Sequence, residues 1–245
     1  MIHYILYAKK CPFACPITAV AANSQSAVLR NLTFSRKYNR LILTGDKMYK
    51  DHATLMHELR DYASPRARLT RMIHSGEVIQ VRRGIFLDPA DRDYSLKSLA
   101  AVIYGPSYIS FEYALAFYGL IPESVRVITC GIYNKNKNRF FHTPLGDFRY
   151  YYLPPAVFPY GITLGMENNQ RYLMATPEKA LCDTLYKTRG IDTRDSLEAL
   201  LFEDLRLEPD EIEALDRPSM SFLAPLYGKR VLKLFANWLD QRGPK

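Results

Sequence analysis

The stretch from Ser64 to Leu87 constrains the fold more than any other part of the chain. Ser64 stands at an N-cap position, Pro65 suits the first helical turn because its fixed φ fits there and its missing N–H costs nothing, and Gly76 supplies a stop. Between them Leu69, Met72 and Ile73 have the spacing of one buried stripe, while Arg68, Thr70, Arg71 and His74 project elsewhere and Arg66 lies at the margin. Val78–Val81 and Ile85–Leu87 are β-prone runs joined at Arg82-Arg83-Gly84, a tight turn whose glycine tolerates positive φ. An amphipathic helix with a cationic outer face followed by a cationic hairpin predicts a winged helix-turn-helix, with duplex DNA as its partner. In that reading Arg68, Thr70, Arg71 and His74 face bases, Arg82 and Arg83 hold phosphate or the minor groove, and Arg66 and Arg60 are further phosphate contacts.

Charge points the same way. Residues 1–92 hold 15 Lys and Arg against 7 Asp and Glu, whereas residues 93–245 hold 18 of each, so the whole excess of +8 lies in the first part. A phosphate-facing module needs local positive potential and a protein-facing one does not, which argues for a nucleic-acid-binding first part and a different second part. Four cysteines, Cys11, Cys15, Cys130 and Cys182, are too few and scattered for a disulfide framework in 245 residues, so a reducing, cytoplasmic setting is expected. Cys11 and Cys15 have no second pair and no nearby histidine, and neither a metal nor a cofactor is expected. No apolar run reaches the roughly 20 residues of a membrane span. Residues 9–22 faintly resemble a signal peptide, but two prolines in the apolar run count against export.

Patterning divides the chain into 1–47, an extension that is either loosely ordered or ahead of the functional start near Met48; 48–92, the DNA module; and 93–245, a mixed α/β domain. Leu55, Met56 and Leu59 predict the supporting helix of the module. Beyond the boundary, helices are expected at 96–103 and 113–119, strands at 125–133, 139–142, 148–153 and 171–174, and a loop from Pro155 to about Gln170. A helix then opens at Thr176-Pro177, an acidic segment runs from Asp192 to Asp216, and one last helix spans Leu223–Leu239. Glu178, Lys179 and Asp183 are read as helix-start chemistry and not as a catalytic set, since no phosphate loop or metal cluster accompanies them. Aromatics between Phe140 and Phe158 are read as core in preference to a base-stacking platform.

The module together with Tyr108-Ile109-Ser110-Phe111-Glu112-Tyr113-Ala114-Leu115, Tyr118-Gly119-Leu120-Ile121-Pro122-Glu123, Thr143-Pro144-Leu145-Gly146-Asp147-Phe148 and Ala175-Thr176-Pro177-Glu178-Lys179-Ala180-Leu181-Cys182-Asp183 resembles the AbiEi family of antitoxins over roughly residues 48–190. The resemblance implies an α+β protein: an N-terminal winged helix-turn-helix that represses its own promoter, then an antitoxin-like domain that counteracts a nucleotidyltransferase-like toxin in a bacterial abortive-infection system. It implies no enzymatic activity and no membrane partner. The competing expectation is a winged-helix regulator whose second domain senses a ligand and has no toxin partner.

Overall fold

The computed structural model describes residues 49–91 and 93–242 as a mixed α+β chain with two sheets. The expected extension at 1–47, with Cys11 and Cys15, lies outside the described residues.

The first unit comprises β1 (Tyr49–Asp51), α1 (His52–Glu58), α2 (Pro65–His74), β2 (Ile79–Arg82) and β3 (Ile85–Leu87). The strands form an antiparallel sheet in the order β1-β3-β2. Strand β1 was not legible in the sequence, being three residues without a period, and it ends at Asp51, whose carboxylate caps α1 by accepting from the Thr54 amide at 2.7 Å. Helix α2 begins and ends where its punctuation predicts, although the Ser64 side chain makes no capping bond. Leu55, Leu59, Leu69, Val78 and Phe86 form a small core under the two helices.

The second unit is a six-stranded mixed sheet with helices on both faces. Its elements are α3 (Leu96–Ile103), β4 (Ser107–Ile109), α4 (Phe111–Tyr118), β5 (Ile128–Ile132), β6 (Arg139–Thr143), β7 (Gly146–Tyr152), β8 (Ile162–Glu167), β9 (Gln170–Ala175) and α5 (Pro177–Lys187). After these come α6 (Arg194–Ala199), a π-helical turn (Leu200–Asp204), α7 (Pro209–Ala214), α8 (Arg217–Leu226) and α9 (Arg230–Gln241). The strand order is β6-β7-β5-β4-β9-β8, with β5/β7 and β4/β9 parallel and the other pairs antiparallel. Register sets the two faces. Ile109, Cys130 and Tyr150 are paired on one face, where the Tyr150 hydroxyl donates to the Ala100 carbonyl of α3 at 2.6 Å. Tyr108, Gly131 and Tyr151 are paired on the other, where the Tyr108 hydroxyl donates to Asp183 of α5 at 3.0 Å.

Two expectations are corrected. The loop expected up to Gln170 contains β8, hairpinned to β9 through Asn168-Asn169, both at positive φ (48° and 57°) as a two-residue primed turn requires. The single last helix is two helices, α8 and α9, separated at Gly228.

The boundary near residue 92 separates the sheets but not the packing. Val81 and Leu87 belong to the large core of the second unit, and Tyr49, Ile79 and Ile85 pack against it. The three-stranded sheet therefore has a core on each face.

Candidate nucleic-acid interface

Helix α2 presents Arg66, Thr70, Arg71 and His74 as exposed side chains. At 3.6 residues per turn these four occupy an arc of about 140°, opposite the stripe that buries Leu69. The Thr70 hydroxyl donates back to the Arg66 carbonyl at 3.0 Å, leaving its lone pairs outward. Among the described residues no ion pair engages Arg66, Arg71 or Arg83. A groove of about 490 Å³ between α1 and α2 is edged by Arg60 and Arg66. Helix and groove thus expose Arg60, Arg66, Arg71 and His74, and the hairpin turn exposes Arg83 separately.

Arg68 and Arg82 do not join that surface. Arg68 lies on the flank of α2, with Nη2 donating to Glu77 Oε2 at 2.7 Å and its guanidinium 5.6 Å from the Tyr62 ring centroid. Glu77 also accepts from the Ser75 hydroxyl at 2.7 Å, and these contacts hold its carboxyl below the usual range, Ser75 contributing most and Arg68 next. The expected order is thus reversed: Arg66 is free and Arg68 is engaged. Arg82 is turned by a register shift between Gln80 and Arg82 that places it opposite Ile85, on the sheet face that packs on the second unit. Its guanidinium donates to the Ile103 carbonyl and lies 4.7 Å from the Phe141 ring centroid. Only Arg83 of the pair is an exposed arginine at the turn, where Gly84 takes φ 83°.

The charge excess lies mostly outside the described unit. Residues 49–91 carry seven Lys and Arg against six Asp and Glu, a net of +1, whereas residues 1–48 carry seven against one, a net of +6. The positive potential of the described unit comes from the placement of its cations, and most of the excess precedes β1.

A second cluster, around α5, includes the Glu178, Lys179 and Asp183 that the sequence reading takes as helix-start chemistry. Thr176 caps the helix, accepting from the Lys179 amide at 3.3 Å as the helix-start reading expects, whereas Glu178 accepts from the Asp216 amide at 3.1 Å and so ties α5 to the start of α8. Lys179 and Asp183, however, form a fully buried ion pair at 3.1 Å. Asp183 accepts from the hydroxyls of Tyr108 (3.0 Å), Ser110 (2.6 Å) and Tyr227 (2.5 Å), and Lys179 donates to the Tyr227 oxygen at 2.8 Å. Burial lowers the Lys179 pKa against the opposing pull of Asp183, and burial, then Asp183, pushes the Tyr227 phenol well up. With both charged side chains at zero exposure the cluster is closed to substrate and works as a polar bolt joining β4, α5 and the end of α8.

Among the described residues no group of His, Cys, Asp and Glu could hold a metal ion, and no helix is long and apolar enough to cross a membrane. The chain matches no protein-family model and no curated protein.

Proposed function

We propose that residues 49–91 are a winged helix-turn-helix that binds duplex DNA through α2, and that the chain is an autorepressor and antitoxin of the AbiEi type, counteracting a nucleotidyltransferase-like toxin. The observation that carries the DNA reading is the exposed face of Arg66, Thr70, Arg71 and His74, flanked by Arg83 at the hairpin tip. In this reading α2 enters a major groove, Arg71 reads a base edge, and Arg66 and Arg83 clamp phosphates. Arg68 and Arg82 support the reader: one braces the helix flank and the other ties the hairpin to the second unit. The antitoxin half rests on the motif resemblance across Tyr108–Asp183 alone.

The test is a competition binding assay with the full chain and the DNA upstream of its own gene. Arg71→Ala is expected to cost about 1–3 kcal/mol at the cognate site and to relax sequence preference there. Arg83→Ala is expected to weaken all sequences about equally and to flatten the salt dependence. Absence of binding by the full chain, or identical behaviour of the two variants across operator changes, refutes the DNA reading. Failure to protect cells co-expressing the neighbouring nucleotidyltransferase-like gene refutes the antitoxin reading. A regulator with a ligand-sensing second unit and no toxin partner is favoured by one observation, a polar cleft in that unit.

A further inference from the structure

The cleft lies at the carboxyl ends of the parallel strands β5 and β7 and has a volume of about 530 Å³. Tyr151 and Tyr152 close β7 on one side of it, the end of α5 brings Tyr186, Lys187 and Arg189, and the turn between α8 and α9 brings Lys229. Three cations line it and no carboxylate does.

The cations are not equivalent. Lys187 is paired with Glu112, which stands just behind the lining, and lies over the Tyr151 ring at 4.8 Å. Lys229 is spent on the carbonyls of Tyr186 and Thr188, the latter at 2.7 Å, where it caps the end of α5. Its pKa is lowered, by burial first and then by the charge of Arg189, which lines the same cleft. Arg189 is exposed and, among the described residues, pairs with no carboxylate. Among the described residues the lining carries three cations and no acid, a set complementary to an anion.

The aromatic side is equally uneven. Tyr151 is packed on Phe111 at 4.8 Å between ring centroids, and Tyr186 on Tyr227 at 5.5 Å, whereas among the described residues no ring packs on half-buried Tyr152. The backbone amide of Tyr152 donates to Asn138 at 2.9 Å, which fixes the strand end that carries the ring. Phe111, on the floor, holds φ 60°, a strained value for a bulky residue that surrounding structure must over-determine. Its neighbour on the floor, Tyr227, is anchored to the buried Lys179–Asp183 pair. Among the described residues, Tyr152 is thus the lining ring with no ring packed on it and Arg189 the lining cation with no carboxylate.

We propose that this cleft binds a nucleoside phosphate, with the phosphate on Arg189 and the base against Tyr152. The same chemistry is carried by a free mononucleotide and by the phosphorylated end of a single strand, and the cleft volume accommodates one nucleotide unit.

The full chain is titrated calorimetrically with adenosine monophosphate, adenosine, inorganic phosphate and a 5′-phosphorylated trinucleotide. Adenosine monophosphate is expected to bind roughly tenfold or more tightly than adenosine or phosphate, because only it uses both halves of the site. Arg189→Glu is expected to lower that affinity roughly tenfold or more by converting an attractive charge to a repulsive one, while Arg171→Glu, an equal charge change on exposed β9, leaves it unaltered. Tyr152→Ala is expected to bring the mononucleotide down to the affinity of phosphate alone. Circular dichroism of each variant confirms the fold. Tighter binding of the trinucleotide assigns the source as a strand end, and tighter binding of the mononucleotide assigns a free nucleotide. No binding of either by the full chain, phosphate binding as tightly as the mononucleotide, or equal loss in Arg189→Glu and Arg171→Glu overturns the proposal.

Discussion

Removing either member of the buried Lys179–Asp183 pair is expected to destabilise the fold, and the structure says which removal is worse. In Lys179→Met the carboxylate that remains keeps three hydroxyl donors, from Tyr108, Ser110 and Tyr227. Its charge stays solvated by the protein, which places the cost near the lower end of the usual range for a broken buried pair, about 3 kcal/mol. In Asp183→Ala the ammonium that remains keeps one hydroxyl acceptor, Tyr227, while three hydroxyls lose theirs. An orphaned buried donor costs about 1–3 kcal/mol, so this variant is expected at about 5 kcal/mol or above, comparable with the whole stability of many proteins. Joining Lys179→Met to Asp183→Ala removes both charges and is expected to cost several kcal/mol less than the sum of the single changes. Urea unfolding followed by circular dichroism gives the midpoints. Single variants that each cost under about 1 kcal/mol, or a double variant that is simply additive, refute the bolt as the account of this cluster.

Three further outcomes are expected. The phenol of Tyr227 is held neutral far above its ordinary pKa, first by burial and then by Asp183, so its contribution to stability is fully present below pH about 10 and is lost as pH rises further; unfolding midpoints of the wild type are expected to fall more steeply above that pH than those of Tyr227→Phe, and parallel curves refute this. Arg82→Ala is expected to lower thermal stability while leaving DNA affinity of the folded chain unchanged, because its guanidinium is engaged by Ile103 and Phe141; a loss of affinity without a loss of stability returns Arg82 to the interface. Gly131→Ala is expected to destabilise, since a Cβ there meets Leu153 Cδ1 at 2.5 Å and Tyr108 Cζ at 2.9 Å, and an unchanged unfolding midpoint refutes the close approach.

Punctuation carried most of what was legible. Pro65 and Gly76 bracket α2, Gly84 turns the hairpin, and Thr176-Pro177 opens α5, because each of these residues acts on backbone within one turn of itself. The Asn168-Asn169 turn is punctuation of the same kind, but Gly165 breaks the alternation of β8, so the strand before that turn has no clear period. Long-range packing was not legible. The spacing of Lys179 and Asp183 is that of an ordinary exposed helical pair, and their burial depends on Tyr108 and Tyr227, 75 and 44 residues from Asp183 in sequence. Arg82 was misplaced for a related reason: a one-residue bulge moves a side chain to the opposite face of a strand, and no composition or period announces it.

The shared core decides how the two proposed activities can be separated. A chain cut at Asp93 leaves the second unit without Val81 and Leu87, which are buried in its core, and without the Tyr49 hydroxyl that donates to the Ser95 carbonyl at 3.1 Å ahead of α3. Two fully buried aliphatic side chains contribute about 1.5–3 kcal/mol each. Their loss is a large fraction of a marginal stability, so the truncated chain is expected to be poorly soluble and to rescue cells badly whatever the second unit does. Point changes on α2 avoid that cost. Arg66 and Arg71 are exposed and touch neither core, so replacing both with alanine is expected to change stability by less than about 0.5 kcal/mol each while abolishing repression of the chain's own promoter. Protection against the neighbouring toxin is expected to persist in that double variant at the wild-type level. Soluble protein that has lost protection together with repression would mean that antitoxin action passes through the DNA, and the assignment of the two activities to different units would fall.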